Sequence, residues 1–183
     1  MAWKAQQMAL DIDRLVFLDE SGVNLGMTRL YGWGEKSERV VDFVPDVRFQ
    51  RLSLISTLRR SGINAPMVFE GSLNGDFFKA YVGQALAPTL RAGDIVVMDN
   101  ASSHKVEGAL QPIYDKGAFV LFLPPYSPDF NPIEQAWSKI KSILRTLKAR
   151  TRKELLSALC VAFDAITVDD IRNWFFHDGY FYA

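Results

Sequence analysis

The sequence predicts an α/β domain with a mixed five-stranded sheet flanked by helices, and three observations carry that expectation. Short apolar runs at 15–18, 95–98 and 119–123 have the continuous character of strands buried on both faces. Other stretches place apolar residues at helical spacing, as in Trp137, Ile140, Leu144 and Leu147. Two of the strand runs end in an aspartate, Asp19 and Asp99, where a charged side chain can reach solvent or a ligand.

At 183 residues the chain suits one domain with a good core. A hydrophobic content of 49% with 23% charged residues is ordinary for a soluble globular protein. No apolar run reaches the length of a membrane span, and the first residues lack the basic-then-apolar pattern of a secretory signal. The single cysteine, Cys160, sits among Leu159, Val161 and Phe163 and reads as a buried thiol in a reducing compartment. The cytoplasm is the expected location. A formal net charge of zero weighs against gripping a duplex by overall charge, though carboxylates gathered at a site would mask a basic surface elsewhere.

Residues 1–13 read as a polar lead-in. The first strand runs over 15–19. A second is expected within 22–40, followed by the glycine-bounded loop Tyr31-Gly32-Trp33-Gly34, with Trp33 packing on the sheet or in the core. Residues 51–58 alternate as a half-buried strand, Arg59-Arg60-Ser61-Gly62 makes a turn, and Met67-Val68-Phe69-Glu70 continues the sheet. Phe77, Phe78, Tyr81, Val82, Ala85 and Leu86 mark an amphipathic helix bounded by Pro88 and Gly93, its aromatic stripe belonging to the core. Strands first and helix-flanked strands later is the order of an RNase H-like fold.

After Asp99, Ser102 or Ser103 can cap a helix through Val106, Leu110, Ile113 and Tyr114, with Pro112 kinking or dividing it and Gly117 at its C′ position. The strand at 119–123 breaks at Pro124-Pro125. Asn131 then serves as N-cap and Pro132 as first residue of a long helix. Thr151 and Glu154 form a capping box for the next helix, with Leu155, Leu156, Leu159, Phe163 and Ile166 inward. Asp169 or Asp170 opens a last short helix, and the aromatic tail packs back on the domain or waits for a partner.

Two aspartates at strand ends and a glutamate, Glu134, in a helix's first turn form a set suited to divalent metal. Mg²⁺ takes carboxylate oxygens and keeps several waters, leaving positions for phosphate. Two of the three also have a plainer reading. Asp19 can initiate a turn before Ser21-Gly22, and Glu134 can complete a capping box with Asn131. Glu20 is an alternative ligand, although strand alternation points it away from Asp19. His104 either faces the site or is a hydrogen-bonded surface histidine. Between Lys139 and Lys153 lie seven basic residues and no acidic ones. The stripe Lys141, Arg145, Lys148 and Arg152 is a phosphate grip or a solvated helix face.

The ordered motifs Leu-Asp-Glu-Ser-Gly (18–22), Met-Asp-Asn-Ala-Ser-Ser-His-Lys (98–105) and Leu-Pro-Pro-Tyr-Ser-Pro-Asp-Phe-Asn-Pro-Ile-Glu (123–134) resemble the catalytic domain of DDE transposases. The branch resembled is that of the bacterial insertion sequences related to the mariner superfamily, which the 34 residues between Asp99 and Glu134 fit. The resemblance implies a catalytic domain over 14–183, with the helix-turn-helix DNA-binding region of such proteins not seen in this sequence. It implies that Asp19, Asp99 and Glu134 hold two Mg²⁺ (Mn²⁺ substituting), and that the partners are transposon ends and target DNA, engaged as a homodimer. It places Asn100, His104 and Lys105 near the DNA, with Lys141, Arg145, Lys148 and Arg152 as further contacts. The implied reaction is hydrolysis at the element's ends followed by strand transfer from the freed 3′-OH. The alternatives are another nuclease on the same fold and a catalytically silent DNA-binding or assembly module.

Overall fold

The computed structural model describes residues 2–45 and 51–181. Its strands are β1 (Leu15–Asn24), β2 (Arg51–Arg59), β3 (Gly62–Glu70), β4 (Ile95–Met98) and β5 (Phe119–Phe122). Its helices are α1 (Ala2–Gln7), α2 (Gly75–Tyr81), α3 (Gln111–Asp115), α4 (Ile133–Leu147), α5 (Arg152–Asp164) and α6 (Val168–His177). The strands form one mixed sheet in the order β3-β2-β1-β4-β5. β1, β2 and β3 are antiparallel neighbours, whereas β4 and β5 run parallel to β1.

Side chains alternate across a strand, so each strand feeds two cores. Leu15 and Phe17 of β1, with Leu54 and Val97, pack against Trp137, Ile140 and Leu144 of α4 and Leu159 of α5. Val16 and Leu18, with Ile55, Val96 and Met98, face Phe78 and Tyr81 of α2 and Ile113 of α3. The central strands are therefore continuously apolar because both of their faces are covered.

The tail closes the first core: Phe175 and Tyr180 set their rings edge-on to Phe17 at 5.3 and 5.0 Å. The expected polar lead-in also joins this core. Trp3 of α1 is buried against Phe130, and the Gln7 side chain donates to the Asp178 carbonyl at 2.6 Å.

Several expectations are corrected. No second strand lies within 25–45; β1 itself runs on to Asn24 as one long strand. Trp33 is fully exposed rather than packed, because no strand carries it to the sheet. β2 is buried on both faces, not half-buried, since β1 and β3 flank it and helices cover it. Its buried hydroxyls are satisfied locally, Ser56 and Thr57 both donating to the Asn64 carbonyl. The helix after Asp99 is divided, as expected: a short turn at Ser102–Lys105 ends before α3, and Pro112 occupies the first turn of α3, where a missing N–H costs nothing. Gly117 has φ +69°, as its C′ place requires. On α5 the buried residues are Leu155, Ala158, Leu159 and Ala162, which leaves Leu156 and Cys160 exposed. Sequence neighbours of Cys160 are apolar, but on a helix adjacent residues do not share a face. The last helix is capped by Thr167, with Asp170 completing the box.

Candidate active site

Alternation along β1 decides the direction of its acids. Asp19 follows Leu15 and Phe17 towards α4, whereas Glu20 follows Val16 and Leu18 to the opposite side. Phe17 is the parallel partner of Val97, and Asp19 and Asp99 each lie two residues further on. Glu134 arrives from the other direction, as the second residue of α4. The three carboxylates, 115 positions apart in sequence at their extremes, line one open cleft of about 400 Å³ together with Asn100, Tyr126 and Asn131.

Their surroundings differ sharply. Asp19 is 8% exposed, and its Oδ2 accepts from the Trp137 indole Nε1–H at 3.2 Å. Burial first, then the charges of Glu134, Glu20 and Asp99, push its carboxyl well above the usual carboxylate range. Asp99 is half exposed, and its Oδ1 lies 2.8 Å from His104 Nδ1 and accepts from the Ala101 amide at 3.0 Å. The His104 hydrogen bond, opposed by partial burial, holds the Asp99 carboxyl below its ordinary value.

His104 is completely buried, its ring centroid 4.4 Å from that of Phe78. Its Nε2 stands 3.5 Å from Glu20 Oε2, an ion-pair separation without hydrogen-bond geometry. Burial pulls the imidazole pKa down, but Asp99 and Glu20 outweigh that effect and raise it to about 9. The ring is then an imidazolium at neutral pH, held between two carboxylates. The His104 ring has no exposed surface and meets Asp99 directly.

Glu134 keeps its carboxylate exposed. The Asn131 side chain does not cap α4; Pro132 is the cap residue, and the Asn131 carbonyl accepts from the Glu134 amide at 3.0 Å. The capping-box reading therefore fails, and among the described residues nothing hydrogen-bonds or ion-pairs with the Glu134 carboxylate.

Hard carboxylate oxygens crowded round a cleft, one of them buried and raised by its neighbours' charge, fit a divalent cation that would relieve the repulsion. Among the described residues no group of three or more His, Cys, Asp or Glu side chains is drawn tightly enough to cage a metal ion by itself. Mg²⁺ asks for less: one or two carboxylates, with water and substrate phosphate completing the octahedron.

Of the remaining expected contacts, Asn100 and Lys105 are exposed, Asn100 on the cleft itself. Lys141 and Arg145 have no ion-pair partner among the described residues. Lys148 pairs with Asp42 and Arg152 with Glu70, so half of the basic stripe is engaged within the domain. Trp137 was legible only as an apolar stripe residue. Its place one helical turn after Glu134 was the available signal that it shares that residue's face.

A family profile described as a DDE superfamily endonuclease matches residues 14–156, well over half of the chain. No curated protein sequence matches. Among solved structures, the mariner Mos1 paired-end complex with Mg is similar at 15% identity and a TM-score of 0.75, over 97% of this chain and 56% of that one. The Mos1 transposase paired-end complex with left transposon end gives 16% identity and a TM-score of 0.72, over 92% and 53%. The catalytic domain of Mos1 mariner transposase gives 16% and 0.63, over 94% and 85%. The chain thus spans about half the length of the proteins in the DNA complexes. The likeness establishes the fold: a mixed five-stranded sheet flanked by helices, as in an RNase H-like catalytic domain.

Proposed function

Because the chain belongs to the DDE superfamily endonucleases, we propose that residues 14–183 are the catalytic domain of a DNA transposase of the mariner-related insertion-sequence branch. The observation that carries this reading is the convergence of Asp19, Asp99 and Glu134 on one cleft from two parallel strands and a helix start. Mos1, similar in fold, has been crystallised on transposon-end DNA and with Mg or Mn.

The three carboxylates would hold two divalent cations, Mg²⁺ or Mn²⁺, which supply charge neutralisation and activation of the attacking oxygen in in-line phosphoryl transfer. The chain's own residues do the rest. Asp99 offers Oδ2, its other oxygen being held by His104 and the Ala101 amide. Glu134 offers an unengaged carboxylate, and Lys141 and Arg145 offer charge to backbone phosphates. In the first step a water oxygen bonds to phosphorus, the P–O3′ bond breaks and the 3′-OH leaves protonated. In the second, that 3′-OH displaces a 3′ oxygen of the target strand. Exposed Tyr31, Trp33, Val41 and Phe43 in the segment between β1 and β2 support a homodimer on DNA.

The test is nicking of supercoiled plasmid, and joining of a 3′-OH oligonucleotide into it, with and without Mn²⁺. Metal-dependent nicking and joining, both lost in Asp99→Asn, is the expected result. Nicking without joining would indicate another nuclease, and DNA binding without products a silent binding module.

A further inference from the structure

We propose that Trp137 is a positioning residue for Asp19: its indole N–H fixes Oδ2 and leaves Oδ1 as the oxygen presented to a cation in the cleft. The inference rests on the metal-site reading above and goes beyond it by naming what aims the most buried ligand.

A carboxylate rotates almost freely about its last torsion unless something holds one oxygen. Asp19 is buried on a cleft it shares with Asp99 and Glu134, so its orientation needs a donor. The indole supplies one at 3.2 Å. Trp137 is itself fully buried, wedged in the core with Phe17 and Ile140, so the donor cannot swing away. A buried indole N–H needs a partner, and here the only acceptor it has among the described residues is Asp19. Trp137 and Glu134 are three residues apart on α4 and share a face. One helix therefore carries one carboxylate ligand and the group that orients another, and a shift of α4 moves both together. Asp99 is treated in the same way by His104, which holds Oδ1 and frees Oδ2. Each aspartate thus has one oxygen tied to a buried ring N–H.

The experiment uses the full chain labelled with ¹⁵N at the indoles of its four tryptophans. Trp137→Phe, which keeps the ring but removes the N–H, identifies the Trp137 resonance. Mg²⁺ is then titrated into both proteins, with a cleaved-end duplex present. The expected result is a saturable shift of the Trp137 Nε1–H signal in the wild type, and binding weakened about 10–100-fold in Trp137→Phe, the usual cost of losing an outer-shell partner. Mg²⁺ binding of equal strength in Trp137→Phe, with the wild-type Trp137 signal unmoved, would overturn the positioning role and leave the metal site standing. No Mg²⁺ binding by the wild type would overturn both. Should Trp137→Phe fail to fold, the wild-type signal decides alone, the Trp137 resonance then being assigned through its contacts in the folded chain.

Discussion

Asp19 is a carboxylate that the fold pays to bury. Its carboxyl is raised, so the folded chain holds the proton more tightly than the unfolded one; that favours folding at low pH and is lost as pH rises through the raised value. Above that value the metal-free protein carries a destabilising charge at this position. Asp19→Asn should stabilise it by about 0.5–2 kcal/mol, read by thermal unfolding in a chelator, while abolishing metal-dependent cleavage. A less stable Asp19→Asn protein would mean that the buried charge is compensated by something other than a cation. The direction of Asp19 and Glu20 was legible from strand alternation alone. The ring N–H partners were not, because the Trp137 contact joins residues 118 positions apart and depends on how α4 settles on the sheet. Exposure of Cys160 and Trp33 was misread for a related reason: apolar sequence neighbours say nothing until the face or strand that carries them is known.

At the scale of elements, the proposed function makes α4 the link between chemistry and DNA. It begins at the cleft with Glu134 and carries Lys141 and Arg145 along its exposed side. Replacing both with alanine should weaken duplex binding evenly across sequences and lower the slope of log affinity against log salt by about 1 for each lost phosphate contact. Lys148→Ala and Arg152→Ala should change it less, since those side chains already answer to Asp42 and Glu70. An unchanged slope in the Lys141/Arg145 double variant would remove α4 from the DNA surface. The sequence showed this helix and its basic stripe clearly. It could not show which charges are spent inside the domain, because Asp42 and Glu70 come from other segments.

The whole molecule depends on β1 and β4 lying side by side, since that pairing brings Asp19 and Asp99 together. The opposite end of the same strands is tied by Asp94, buried just before β4, which accepts from Arg59 of β2 and from the Arg91 amide, each at 2.7 Å. Burial raises the Asp94 carboxyl, but these donors prevail and it sits below its ordinary value. Its contribution to stability is therefore present above about pH 4 and lost as pH falls below that. Asp94→Asn should cost about 3–5 kcal/mol at pH 7 by removing the ion-pair partner of Arg59, and should flatten the acid limb of the stability profile. Denaturant unfolding between pH 3 and 7 checks both. A mixed five-stranded sheet was readable from the apolar runs; the order of its strands and this tie between β2 and β4 were not, as nothing local to Asp94 announces Arg59.

In the proposed function, Asp19, Asp99 and Glu134 together hold the divalent metal. Calorimetric titration of Mn²⁺ into the wild type and Asp99→Asn, each with a duplex bearing a free 3′-OH, tests it most directly. Saturable binding in the wild type that disappears in Asp99→Asn is expected. Equal binding in the two proteins, or none in the wild type even with the duplex present, would contradict it.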